Sequence, residues 1–68
     1  KYMMQAGDLV KITRAGIGVP KGMAGLILKT VEPRPNEYDI LYHEIQLCNE
    51  NRVVRRLERD LEVISASR

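Results

Sequence analysis

The stretch from Gly7 to Val31, GDLVKITRAGIGVPKGMAGLILKTV, decides the fold class. It opens on a Gly-Asp turn signal, after which Val10 and Ile12 alternate with Lys11 and Thr13. Period-two alternation sends one face of a strand into a core and the other into solvent, so residues 8 to 14 are predicted to form a first strand. Ala15 to Gly22 then packs three glycines and a proline into eight residues. No regular element tolerates that density, and the segment reads as a loop. Gly25 opens Leu26 to Val31, whose β-branched and apolar content predicts a second strand, stopped by Pro33 and Pro35.

Beyond this stretch, Pro33 to Asn36 is the next turn, and a third strand begins at Glu37 with Tyr38, Ile40 and Tyr42 on one face. Ile45 and Leu47 fall on the opposite parity, so a β-bulge near His43 and Glu44 is expected to keep both apolar sets facing one core. Asn49 to Asn51 supplies hairpin turn residues leading into a fourth strand at Arg52 to Arg56. Val53, Leu57, Leu61 and Ile64 also recur at helical spacing, leaving a helix over residues 51 to 63 as an alternative. The preferred reading is a strand, a 3₁₀ turn at Leu57 to Asp60 and a closing strand from Leu61 to Ile64. Residues 65 to 68 read as a loose tail, with the ordered core at about 7 to 64.

The order Gly7-Asp8, Val10, Ile12, Lys21-Gly22, Gly25, Ile27 and Val31 resembles the KOW motif, a strand, loop and strand unit of small SH3-like β-barrels. Such units occur in a large-subunit ribosomal protein and in the NusG-type transcription factors. The resemblance implies an all-β, five-stranded SH3-like barrel with a 3₁₀ turn before its last strand, and Val10, Ile12, Ile27 and Val31 as half of the interior. It also resembles short stand-alone proteins, including phage-encoded ones. In nucleic-acid-binding KOW proteins the loop and its flanks are rich in Lys and Arg. Here Arg14 and Lys21 are the only loop charges, and Ile17, Val19 and Pro20 take the remaining space.

Sixty-eight residues make one domain, and a chain this small buries only about 60 % of its unfolded surface. Little interior is left for an enclosed active site, given that ligand pockets run to roughly 300 Å³ or more. A non-catalytic module without cofactor or small-molecule substrate is therefore expected. The composition, 44 % apolar and 29 % charged, is that of a globular domain, and no run approaches the about 20 apolar residues of a membrane span. The start carries no charged end followed by an apolar stretch, so an intracellular, cytoplasmic setting is the expectation. The lone Cys48 has no CxxC or His-rich neighbourhood, and is expected as a buried or half-buried small hydrophobe. His43 has no second ligand at metal spacing, so no metal site is expected.

Net charge is +2, distributed as +4 over residues 1 to 34 and −2 over the rest. Two surfaces emerge as candidates. The first is the apolar loop, Ile17, Val19, Pro20 and Met23, which either folds over an open end of the barrel or stands out as a lip for a protein partner or a second copy of the chain. The second is cationic: Lys11, Arg14, Lys21, Lys29, Arg52, Arg55 and Arg56 are candidates for phosphates of RNA or single-stranded DNA. Strand alternation puts Arg52 and Arg56 on one face and Arg55 on the other, and Glu50, Glu58, Asp60 and Glu62 lie close enough in sequence to neutralise part of the set. Tyr38 and Tyr42 are expected to supply core volume, with their hydroxyls at the rim.

Overall fold

Val10 and Ile12 are completely buried while Lys11 between them is exposed, which is the alternation read from the sequence. A computed structural model describes residues 3–32, 35 and 41–67. Its strands are β1 (Leu9–Ile12), β2 (Ala24–Val31), β3 (Tyr42–Leu47), β4 (Val53–Leu57) and β5 (Leu61–Ser65), with one 3₁₀ turn at Glu58–Asp60. The segment over residues 51 to 63 is thus strand, turn and strand, not helix. All pairings are antiparallel in a single sheet of order β4-β3-β2-β1-β5. Among the described residues no ladder joins β4 to β5, so these two form the sheet edges.

One contiguous core holds the sheet together: Val10, Ile12, Val19, Ile27, Ile45, Leu47, Val54 and Leu61, with Met4, Met23 and Val63 packed against it. At roughly 1.5–3 kcal/mol for each fully buried aliphatic side chain, these residues supply most of the gain that offsets chain ordering.

The bulge lies in a different strand from the one expected. Across β2 and β3, Ile27 faces Ile45 but Lys29 faces Glu44, so Leu28 is the extra residue. The β3·β4 ladder runs without interruption from Tyr42↔Leu57 to Gln46↔Val53. His43, Ile45 and Leu47 are consequently the buried set of β3. In β2 the extra residue reverses the alternation, turning Thr30 toward the buried His43. Val31, expected inside, is instead half-buried opposite Tyr42. Tyr42 is likewise half-buried, while Tyr38, Ile40 and most of the Pro33 to Asn36 turn lie outside the described residues. A second irregularity, between Leu9↔Ser65 and Val10↔Val63, leaves Ile64 as the extra residue of β5.

Asp8 ties together the segments that flank the sheet at the two ends of the chain. Its fully buried carboxylate accepts the Gln5 N–H at 3.0 Å and the Ser67 N–H at 2.7 Å. The tail is therefore tied down as far as Ser67, and β5 extends to Ser65, both past the expected ordered core. Cys48 corrects another expectation, for it is exposed. It follows the buried Leu47, so alternation points its side chain outward while its N–H donates to the Ala24 carbonyl at 3.0 Å.

Gly25, buried in β2 opposite both Val10 and Leu47, marks a close approach. A Cβ built there would collide with Cγ2 of Ile45 and stand 3.0 Å from the Gln46 carbonyl oxygen. Because one obstacle is backbone, it cannot swing aside. Gly25→Ala is expected to destabilise the fold by about 1–3 kcal/mol, read as a lowered midpoint in urea unfolding.

Candidate functional site

The loop that leaves β1 is a small hairpin. At its base the Gly22 N–H donates to the Ile12 carbonyl at 2.7 Å, and the Ile12 N–H donates to the Met23 carbonyl at 2.8 Å. Further out, Gly16 and Val19 exchange two backbone hydrogen bonds of 2.9 and 3.1 Å, leaving Ile17 and Gly18 as the two-residue tip. Gly18 has φ +70°, the left-handed conformation that this tight turn places at its second central residue.

The two readings of the apolar loop divide between its residues. Val19 is 1 % exposed and belongs to the core, and Met23 packs half-buried against it. Ile17 is 96 % exposed at the tip, and Pro20 is exposed beside it. Folding back and standing out thus coexist two residues apart. The hairpin is also braced from outside, because Arg52 donates from Nη1 to the Gly18 carbonyl at 3.0 Å and from Nη2 to the Ile17 carbonyl at 3.3 Å.

The cationic candidates do not share one surface. Lys11 pairs with Glu62 at 3.3 Å and Arg55 with Glu44 at 3.0 Å. Lys21 and Lys29 are exposed, Lys29 facing Glu44 across the β2·β3 ladder. Arg14, Arg52 and Arg56, by contrast, line one open cleft of about 380 Å³ together with Gly16, Ile17 and Asp60. Arg56 lies close over Gly16, where an added Cβ would stand 2.7 Å from Nη2. Its Nη1 donates to the Arg55 carbonyl at 2.7 Å. Of the acids named as neutralisers, Glu50 reaches Arg52 only at 3.6 Å, Glu58 engages His43 and Glu62 engages Lys11. The sequence signal for the cleft was Arg52 and Arg56 at the same parity. Arg14 and Asp60 join them through β1·β5 pairing, where the Thr13 N–H donates to the Asp60 carbonyl at 2.9 Å.

His43 is fully buried, and both its ring nitrogens are occupied. Nε2 lies 3.0 Å from a Glu58 carboxylate oxygen, and Nδ1 lies 3.0 Å from the Thr30 hydroxyl. A carboxylate only accepts, so Nε2 carries the hydrogen. The triad pins β3 to β2 and to the 3₁₀ turn, which is structural work. Among the described residues no three His, Cys, Asp or Glu side chains gather as metal ligands, and no helix is long and apolar enough to cross a membrane.

Compared with protein-family models, curated proteins and solved structures, the chain matches none.

Two stability contrasts follow from this geometry. Val19→Ala is expected to cost about 2 kcal/mol, whereas Ile17→Ser stays within about 0.5 kcal/mol of the parent; equal losses in urea unfolding would contradict the division of the loop. Glu58→Ala strands the buried Nε2–H of His43 and is expected to cost about 1–3 kcal/mol. A double-mutant cycle with Thr30→Val measures how much of that loss the triad shares.

Proposed function

We propose that this chain is a non-catalytic interaction module of SH3-like barrel type, akin to the KOW unit, that docks on a protein partner through the hairpin of residues 15 to 20. The observation that carries this reading is the 96 % exposure of Ile17 on a hairpin whose conformation is held from three sides. Val19 anchors it to the core, the Gly16 and Val19 backbone pair fixes its width, and Arg52 ties its tip carbonyls to the start of β4. A large apolar side chain on a preformed tip loses little freedom when a partner covers it, so nearly all of its burial energy goes into affinity. The β-order β4-β3-β2-β1-β5, with a 3₁₀ turn between the edge strands, supports the barrel reading.

A nucleic-acid reading draws on Arg14, Arg52 and Arg56, which share one cleft. It is the weaker reading. Phosphate tracking needs several cations along a path, and Lys11 and Arg55 are held in ion pairs with Glu62 and Glu44.

Pull-down from extracts of the native host, compared between parent and Ile17→Ser across a salt series, tests the assignment. Burial of one isoleucine corresponds to about 1.5–3 kcal/mol, so the substitution is expected to weaken partner binding at least about tenfold. The fold stays intact by circular dichroism. Binding that survives Ile17→Ser, or a retained ligand that proves to be RNA or single-stranded DNA and falls away steeply with salt, overturns it.

A further inference from the structure

From the cleft beside the hairpin tip we infer a second recognition element: a seat for an acidic side chain, a carboxylate carried by the same partner that covers Ile17. It rests on the docking reading above and adds the partner's chemistry to it.

The cleft differs from the Lys11 and Arg55 positions in how its cations are held. Lys11 and Arg55 are matched by Glu62 and Glu44. Within the cleft, the Arg52 guanidinium is fixed mainly by the carbonyls of Gly18 and Ile17, and that of Arg56 by the carbonyl of Arg55. Neutral carbonyls set the position of a guanidinium without cancelling its charge. Among the described residues neither Arg14 nor Arg56 makes an ion pair, while Arg52 meets Glu50 only at 3.6 Å, so the cleft carries two unpaired guanidinium groups beside Asp60 and a third that is loosely paired. Gly16 lets Arg56 lie close against the hairpin, since any side chain there would displace it.

A carboxylate suits this arrangement better than a phosphate chain. Guanidinium forks accept a planar carboxylate in two parallel hydrogen bonds. Asp60 inside the cleft opposes the greater charge of successive phosphates, and the adjoining cleft, which shares Arg56 and Asp60, adds only Arg55, already paired with Glu44, together with the acidic Glu32. Ile17 stands at its rim, so one short partner segment can present an apolar residue to the tip and an acid to the arginines.

The test is a titration of isotope-labelled protein followed by amide and arginine Nε resonances. Four probes are compared: a short capped peptide of alternating glutamate and leucine, its glutamine counterpart, inorganic phosphate and oligothymidylate. The glutamate peptide is expected to shift Gly16, Ile17, Arg14 and Arg56, and to bind at least about tenfold more tightly than the glutamine peptide. Arg14→Gln and Arg56→Gln should each remove about that factor. Arg14 is exposed and makes no hydrogen bond or ion pair among the described residues, so its variant keeps the test independent of folding. The inference is overturned if glutamine and glutamate peptides bind alike, if the Arg14 variant changes nothing, or if phosphate or oligothymidylate shifts the same resonances at lower concentration. Ile17→Ser separates the two assignments. If it leaves peptide binding unchanged while the arginine variants abolish it, the docking tip is wrong and the acid seat stands; the reverse pattern refutes the acid seat alone.

Discussion

The shape of the exposed surface follows from the demand of a very small core for one more aliphatic side chain. Five strands bring Val10, Ile12, Ile27, Ile45, Leu47, Val54 and Leu61 together, and the loop after β1 adds Val19 to them. Drawing Val19 inward fixes the backbone of its neighbours. Gly16 closes a two-bond pair with it, Gly18 takes the left-handed conformation the tip requires, and Ile17 has nowhere to go but solvent. Burial of one residue thus dictates the exposure of another. A stability requirement sets the geometry of the exposed hairpin tip.

Much of the fold was legible because the relevant signals are local. Alternation at Val10 and Ile12, the glycine-rich interruption and the β-branched run to Val31 located β1 and β2, and the 3₁₀ turn and last strand lie within a residue of their expected bounds. What was not legible depends on pairing between strands. The parity conflict suggested a bulge in the third strand, but the extra residue stands across the ladder at Leu28, and Tyr38 and Ile40, on which the conflict rested, lie outside the described residues. That choice put the polar His43 inside with Thr30 half-buried against it, and left Val31 no more buried than Thr30, an outcome that hydrophobicity alone ranks in the wrong order. It is tolerated because Glu58 arrives from the 3₁₀ turn to satisfy the ring. The burial of His43 could have been suspected from its place two residues before Ile45 and four before Leu47.

The candidate site was legible in its ingredients and not in its assembly. Ile17 and the arginines stood out as residue types, yet nothing local separates Ile17 from Val19, or Arg56 from Arg55. Cross-strand context does so: Glu44 lies opposite Arg55, whereas Arg56 is opposite His43 and turns to the hairpin. Arg56 has a further effect at the sheet edge. The bonds Leu47 to Arg52 and Leu41 to Glu58 set the alternation of β4, so that the backbone groups of Val53, Arg55 and Leu57 face away from β3. By donating to the Arg55 carbonyl, the guanidinium occupies an acceptor that would otherwise invite a foreign strand.

The Asp8 carboxylate has a consequence for architecture on a larger scale. Holding the amides of Gln5 and Ser67 on its two oxygens, it brings the incoming and outgoing chain to one spot. A unit tethered in that way can be inserted in the surface loop of another protein with scarcely any gap to bridge, like a pendant hung from a single ring.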